Sequence, residues 1–471
     1  MKQRLTSVLL LAGAALALTA CTRFSGPEAP VKPYAFSEPA HAAGQKDAIR
    51  LACPPITGKV RVAFIGVGNR GGDAVRRFTY LEDATVTAVC DIDAGYVQRA
   101  VKTLTGKGRP APAVYTGRDD WKKVCERDDV DLVYICTPWE LHAKIALYAM
   151  EKGKHAAVEV PAALSVEDCW KLVDTAERTR RHCMMLENCN YDFFEMACLN
   201  MAQQGVFGDI RHAEGAYIHD LRDLHFSSTF YKEMWRLEEC KVRTGCLYPT
   251  HGIGPIAHVL NIHRGDRMDT LVSVSTNQTG MTAYAKERFG EDSAQARTPY
   301  RLGDMNSTII RTVNGKTMLI QHDVTSPRPY DRLYKISGTK GFCQKYPNTG
   351  LAFDKPYGPG AHSWLSPAAR DAMLKKYEHP IVREIAETAK KVGGHGGMDF
   401  IMDYRLIYCL KNGLPLDQDV YDGAEWSVIV PLSQKSVEMG GCPVAIPDFT
   451  RGAWKTAGPV KYHTAGESRG Q

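Results

Sequence analysis

Arg61-Val62-Ala63-Phe64-Ile65-Gly66-Val67-Gly68-Asn69-Arg70-Gly71 is the stretch that decides the fold. Its apolar first half reads as a buried parallel strand and runs straight into a G-x-G-x-x-G turn. In such a turn Gly66 permits the tight reversal, Gly68 lets backbone approach a pyrophosphate, and Gly71 lets the following helix pack close to the strand. N–H groups at that helix start then face the phosphates. Asp91 stands 20 positions beyond Gly71 and closes a second β-rich run, Ala84-Thr85-Val86-Thr87-Ala88-Val89-Cys90. A carboxylate there accepts both ribose hydroxyls and repels a 2′-phosphate, so the expected cofactor is NAD rather than NADP.

Outward from that stretch, short β runs at residues 60–65, 85–90, 113–115, 132–136, 155–159 and 183–186 alternate with amphipathic runs at 74–80, 95–104, 119–125, 141–151 and 166–179. The alternation predicts an α/β fold, a doubly wound parallel Rossmann sheet with helices on both faces. Ligands of such sheets bind beyond the carboxyl ends of the strands. Thr137-Pro138-Trp139-Glu140 and Glu159-Val160-Pro161 are therefore expected beside the cofactor. After Tyr191 the pattern changes. A helix is expected at 193–204, then β runs at 210–218, 270–276, 307–313, 317–323 and 332–337, then helices at 380–391, 399–411 and 424–439. This suits a C-terminal α+β domain built on an open, mostly antiparallel sheet. The expected organisation is a leader at 1–20, a tether at 21–56, the NAD-binding domain at 57–190, a substrate domain at 191–458 and a tail at 459–471.

The N-terminus reads as a processing signal. Lys2 and Arg4 precede an apolar run, Val8 to Leu18, too short to span a bilayer. It ends Leu18-Thr19-Ala20-Cys21, which resembles a bacterial lipobox and implies an exported lipoprotein anchored to the cell envelope through a lipid on Cys21. Pro27, Pro30, Pro33, Pro39, Pro54 and Pro55 suit an extended tether. Net charge is +6 for the whole chain, with no Lys/Arg block, and nucleic acid is not an expected partner. Cys90, Cys136, Cys169 and Cys183 sit in apolar patterns typical of buried thiols. With no C-x-x-C or H-E-x-x-H, neither a metal site nor a disulfide framework is expected. Self-association is left open.

The Rossmann half, Cys136-Thr137-Pro138, the Gly153-Lys154-His155 turn, Glu159-Val160-Pro161 and Gly205-x-x-Gly208-Asp209-Ile210-Arg211 together resemble the Gfo/Idh/MocA oxidoreductases, from Lys59 to about Phe449. Sugar dehydrogenases of that superfamily carry Glu-Lys-Pro where this chain has Val160, and their lysine helps to deprotonate the reacting carbinol. The finer resemblance is to glycosyl hydrolase family 109, the NAD-dependent α-N-acetylgalactosaminidases. It rests on Gly66-Val67-Gly68-Asn69-Arg70-Gly71, Thr137-Pro138-Trp139-Glu140-Leu141-His142, Glu159-Val160-Pro161, Glu187-Asn188-Cys189-Asn190-Tyr191, Trp235-Arg236-Leu237 and Tyr248-Pro249-Thr250-His251-Gly252. The resemblance implies that Asn69, Arg70, Asp91, Trp139, Glu140, Leu141, His142, Glu159, Val160 and Asn188 surround NAD. It also implies that Tyr217, Arg236, Tyr248, His251 and Tyr330 line a sugar pocket.

What the resemblance implies chemically is hydrolysis by temporary oxidation, an exception to the two-carboxylate glycosidases. Hydride leaves carbon 3, the ketone acidifies carbon 2, elimination expels the aglycone, water adds with retention and the hydride returns. His251 is the expected proton-transfer residue, since imidazole takes and returns protons near neutral pH. Tyr191 and Tyr248 are the further candidates, and Arg236 the expected donor to sugar oxygens or to the acetamide carbonyl. Bland readings stand beside these: Arg236 pairing with Glu238 or Glu239, and Tyr217 and Tyr330 as core aromatics. A sugar dehydrogenase and a non-catalytic NAD-holding lipoprotein are the competing functions.

Overall fold

A computed structural model of the protein describes residues 32–360 and 362–465. The expected leader and Cys21 lie outside the described residues. The N-terminal sheet has six parallel strands: β1 (Val60–Ile65), β2 (Ala84–Cys90), β3 (Ala113–Tyr115), β4 (Leu132–Ile135), β5 (His155–Val158) and β6 (Cys183–Met185). Their order is β3-β2-β1-β4-β5-β6, so the chain reverses direction across the sheet between β1 and β4. That switch opens the crevice in which doubly wound sheets take a dinucleotide. Helices α1 (Asn69–Phe78), α2 (Ala94–Thr105), α3 (Asp120–Cys125), α4 (Trp139–Glu151) and α5 (Val166–Thr179) connect the strands. β1, β4 and β5 are almost wholly apolar because both of their faces are covered.

The second sheet follows α6 (Phe193–Gln203). Its strands are β7 (Ile210–Ile218), β8 (Met268–Ser275), β9 (Asn306–Thr312), β10 (Thr317–Asp323), β11 (Lys335–Gly338), β12 (Gly341–Gln344), β13 (Gly350–Phe353) and β14 (Val444–Ala445). The order is β13-β12-β11-β7-β10-β9-β8-β14, and every neighbour pair is antiparallel except β7 with β10. The expectation of an open, mostly antiparallel sheet holds. Between β7 and β9 lie α7 (Arg222–His225), α8 (Trp235–Val242), α9 (Thr250–Val259), α10 (Gly280–Phe289) and α11 (Ala294–Arg297). The chain then adds α12 (Pro367–Lys376), α13 (Pro380–Val392), α14 (Met398–Asn412) and α15 (Val420–Glu438).

α14 and α15 return to the nucleotide-binding half. On α14, Asp403 accepts from Arg77 Nε at 2.6 Å and from the Tyr134 hydroxyl at 2.8 Å, all three groups being buried. On α15, Ser427 Oγ accepts from the Ala162 N–H at 3.0 Å. Cys90, Cys169 and Cys183 are buried as expected, whereas Cys136 is only half-buried.

Two boundaries need correction. The tether does not run free to residue 56. Tyr34 pairs with Val444, the Ala48 N–H donates to the Tyr421 hydroxyl at 2.8 Å, and Ala48, Leu51 and Cys53 are buried. Proline-rich composition marks an extended chain, and an extended chain with a few apolar side chains can as well lie along a surface. The tail is likewise pinned beyond 458: Val460 and Tyr462 are buried and Arg405 donates to the His463 carbonyl at 3.0 Å.

Candidate active site

Chain geometry at the end of β1 leaves room for a dinucleotide only because three side chains are missing. A Cβ on Gly71 would lie 1.8 Å from the Gly66 carbonyl oxygen, and one on Gly66, whose φ is +83°, would lie 2.5 Å from that of Cys136. Gly68 faces the Tyr96 ring, 3.1 Å from the position of a Cβ. Asp91 accepts from the Val67 N–H at 2.8 Å and from the Asp93 N–H at 2.9 Å. A carboxylate has about four lone-pair sites, so two remain for the hydroxyls of a ribose. Burial raises its pKa against those two donations. The cradle fits an NAD molecule.

Two of the other expected cofactor residues, Arg70 and Asn188, converge on Asp399, a residue that no local sequence pattern marks. Arg70 donates from Nε to Glu159 at 3.0 Å and from Nη1 to Asp399 at 3.0 Å, and Asn188 donates to Asp399 at 2.5 Å. Burial would raise the Asp399 carboxyl, but Arg70, His395 and Arg77 hold it well below its usual value. Asn69 is exposed and donates to the Phe230 carbonyl at 2.6 Å. Glu140 is exposed and Leu141 half-buried at the start of α4. His142 is buried, its ring nitrogens each 2.7 Å from a carbonyl, Thr137 on one side and Pro161 on the other. Burial lowers the pKa of the imidazole, and in the neutral form its single N–H donates to one of these two strand-end carbonyls.

β7, α8 and α9 bring the pocket residues together. A Cβ on Gly252 would fall 2.5 Å from the Ala216 nitrogen, and one on Gly215 would fall 2.1 Å from the Gly252 carbonyl oxygen. The two glycines therefore let α9 lie directly on β7, which sets His251 beside Tyr217. Tyr217 and Tyr248 pack at 4.6 Å between ring centroids, His251 lies edge-on to Tyr248 at 4.9 Å, and Tyr217 meets Tyr330 at 6.1 Å. Trp139 stacks on Tyr248 at 5.7 Å, which joins the sugar pocket to the cofactor crevice. Burial pushes the Tyr248 and Tyr217 phenols up, so both are hydrogen-bonding groups rather than acids at neutral pH.

Arg236 stands 4.8 Å from the Tyr248 ring centroid and 5.0 Å from that of Trp139, and donates to the Tyr231 hydroxyl at 2.9 Å. The carboxylates proposed as its bland partners are taken: Glu238 pairs with Lys241 and Glu239 with Arg243. Among the described residues no carboxylate pairs with the Arg236 guanidinium; burying it so is costly, and the aromatic faces only partly offset that. Such an arrangement suits a donor held ready for a ligand oxygen.

His251 Nδ1 lies 2.9 Å from both oxygens of Glu187, a fully buried carboxylate at the end of β6. Burial alone would raise the Glu187 pKa, but His251 and the Cys189 N–H bring it below its usual value. An Nδ1–H held on a carboxylate leaves Nε2 as the basic atom, and the carboxylate stabilises the imidazolium that forms. Glu187 went unassigned in the sequence because a lone acid after a strand carries no signal of its partner 64 residues on.

Tyr191 does not join them. Its ring is buried, its hydroxyl lies 3.3 Å from Asp417, and Asp417 is paired with Arg405. This expectation is corrected: position beside Asn188 in the chain does not place Tyr191 in the pocket, since the 3₁₀ turn Asn188–Tyr191 rotates its side chain into the core. His258, seven residues from His251, packs against Trp426 and Asp422.

Comparison with known proteins agrees with this geometry. The family model "Oxidoreductase family, NAD-binding Rossmann fold" matches residues 60–187, and "Glycosyl hydrolase 109, C-terminal domain" matches residues 191–456. An "Alpha-N-acetylgalactosaminidase" of Bacteroides fragilis is 54% identical over 87% of this chain and 96% of its own length. A "Glycosyl hydrolase family 109 protein" of Porphyromonas gingivalis is 51% identical over 90% of this chain and 91% of its own. Among solved structures, levoglucosan dehydrogenase in complex with NADH and levoglucosan has the same fold, with a TM-score of 0.61 at 20% identity, covering 83% of this chain and 100% of that one.

Proposed function

This chain belongs to glycosyl hydrolase family 109, and from that premise we propose that it removes terminal α-linked N-acetylgalactosamine with retention of configuration. The observation that carries this reading is the His251–Glu187 pair, set one Tyr248 ring away from Trp139 at the cofactor crevice. NAD, when held in the glycine cradle, would supply a hydride acceptor for carbon 3 of the sugar and a hydride donor for its return. Gly66, Gly68 and Gly71 would admit its pyrophosphate, Asp91 would take the ribose hydroxyls, and Arg70, Glu159 and Asn188 would complete the cofactor site. His251 Nε2 removes the carbon 2 proton once carbon 3 is a ketone, and Glu187 stabilises the resulting imidazolium. Arg236 donates to the acetamide carbonyl, while Tyr217, Tyr248 and Tyr330 hold the ring. Buried Val160 supplies no amine, so the carbon 3 hydroxyl proton released on oxidation must pass to another group or to water and return on re-reduction.

p-Nitrophenyl N-acetyl-α-galactosaminide in deuterated water tests the reading. Released sugar should carry deuterium at carbon 2 and keep its anomeric configuration, with no NADH accumulating. Unlabelled carbon 2, full activity in protein stripped of dinucleotide, or NADH rising with sugar would each end it.

The processing signal supports a location. We propose that the chain is exported and held at the bacterial envelope by a lipid on Cys21. Among the described residues no helix is long and apolar enough to cross a membrane. Labelled palmitate should enter the wild-type protein and not Cys21→Ala; equal labelling of both would reject the anchor.

A further inference from the structure

Among the described residues, Cys198 and Cys343 are the one pair of cysteines whose sulfurs are hydrogen-bonded to each other. Cys198 Sγ donates to Cys343 Sγ at 3.7 Å, across 145 positions of chain. Both side chains are fully buried, Cys198 on α6 and Cys343 on β12. Thiols elsewhere turn to other groups: Cys53 to the Arg180 carbonyl, Cys189 to Asn188 Oδ1 and Cys240 to the Arg236 carbonyl.

The sulfur contact lies in the seam that carries one wall of the sugar pocket. Glu195, three residues before Cys198, shares its face of α6. Lys345, two residues beyond Cys343, continues the same side of the strand. Beside the sulfurs, Lys345 Nζ donates to Glu195 at 2.8 Å. Arg332 donates from Nη2 to that carboxylate at 2.6 Å and from Nη1 to the Tyr330 hydroxyl at 3.2 Å. Tyr330 is therefore anchored, through Arg332, on the seam that the two cysteines close.

We propose that Cys198 and Cys343 become a disulfide in an oxidising compartment and so staple α6 to β12. The inference rests on the export reading, because disulfides persist in the bacterial envelope and are reduced in the cytosol. One thiolate attacks the disulfide of an envelope thiol oxidant, giving a mixed disulfide and freeing one sulfur of the oxidant. The second thiolate attacks the protein sulfur of that mixed disulfide, and the S–S bond closes as the oxidant's other sulfur leaves. Two electrons and the two thiol protons pass to the oxidant, which ends as a dithiol. Burial, and then the neighbouring Cys343 sulfur, raise the Cys198 thiol well above its usual pKa, so this exchange belongs to the stage before the seam is packed. In the packed seam the sulfurs have only to close from 3.7 Å to about 2 Å, within reach of rotation about the two Cα–Cβ bonds.

Peptide mapping tests it. Full-length protein from the envelope fraction, alkylated with iodoacetamide before any reduction and digested, should yield a peptide pair joined through Cys198 and Cys343 that separates on reduction. Protein pre-reduced with dithiothreitol should melt roughly 5 °C lower, the usual effect of losing a native cross-link. Its KM for the p-nitrophenyl glycoside should rise as the Tyr330 wall loosens. The double variant Cys198→Ala, Cys343→Ala should respond to reductant in neither measurement. Both thiols alkylated in the envelope protein, or a cross-link whose reduction leaves midpoint and KM unchanged, would overturn the staple. Protein missing from the envelope fraction would instead sink the export reading. Oxidised glutathione in mild urea then tests the sulfurs alone: cross-linking there would uphold the bond, and free thiols would overturn it.

Discussion

Replacing His251 with alanine is expected to slow hydrolysis of the p-nitrophenyl glycoside by two to four orders of magnitude, the usual contribution of a positioned proton-transfer group. Both ring partners of His251 are on the wall of the pocket, and its side chain is only 13% exposed, so few solvent paths replace it. The loss should fall on kcat rather than on KM, because carbon 2 is attacked only after the sugar is bound and oxidised. Glu187→Gln separates the imidazole from its orientation. Glutamine still accepts from Nδ1–H but carries no charge to stabilise the imidazolium, so its loss should be smaller than that of His251→Ala. Retained NAD, measured by its absorbance after denaturation, should be unchanged in His251→Ala. Unchanged turnover in His251→Ala would remove it from the chemistry.

What was legible in the sequence was what short range encodes. The glycine turn, Asp91 and the apolar strands are local patterns, and the six-stranded order follows from them once helices must cover both faces. The small strands β12 and β13 and helices α8 and α10 were not foreseen; they have four to ten residues and take their stability from packing rather than from periodicity. The same limit applies in the site. Glu187 acts through His251 and Asp399 through Arg70 and Asn188, contacts over 64, 329 and 211 positions respectively. Family resemblance supplies Arg236 and Tyr330, but that no carboxylate among the described residues pairs with Arg236 is visible only in three dimensions. Tyr191 failed for the converse reason, since adjacency to Asn188 in the chain says nothing about the direction of a side chain in a 3₁₀ turn.

Asp403→Ala is expected to cost about 3–5 kcal/mol of folding stability, read as a fall in urea midpoint, because it leaves the Arg77 guanidinium buried beside a cavity. Arg77 is fully buried on α1; burial would lower its pKa, but Asp403, Tyr134 and Asp399 together hold it above the usual value. After the substitution its remaining carboxylate is Asp399, 3.4 Å from Nη1 and already shared with Arg70 and Asn188. Asp403→Asn should cost less, since an amide oxygen still accepts from Arg77 or Tyr134. Acid should narrow the difference from wild type. Burial raises the Asp403 carboxyl above its usual value against the pull of Arg77 and Tyr134, whereas that of Asp399 is depressed. As pH falls, Asp403 therefore loses its charge first, and the wild-type Arg77 is then left with Asp399 alone, as it is in Asp403→Ala. The cofactor site should register the same change: with Asp399 drawn towards Arg77, Arg70 and Asn188 lose their common anchor, and NAD should wash out on gel filtration before the fold is lost. A midpoint shift under about 1 kcal/mol, or NAD retention identical to wild type, would show that α14 is not the brace of the dinucleotide crevice.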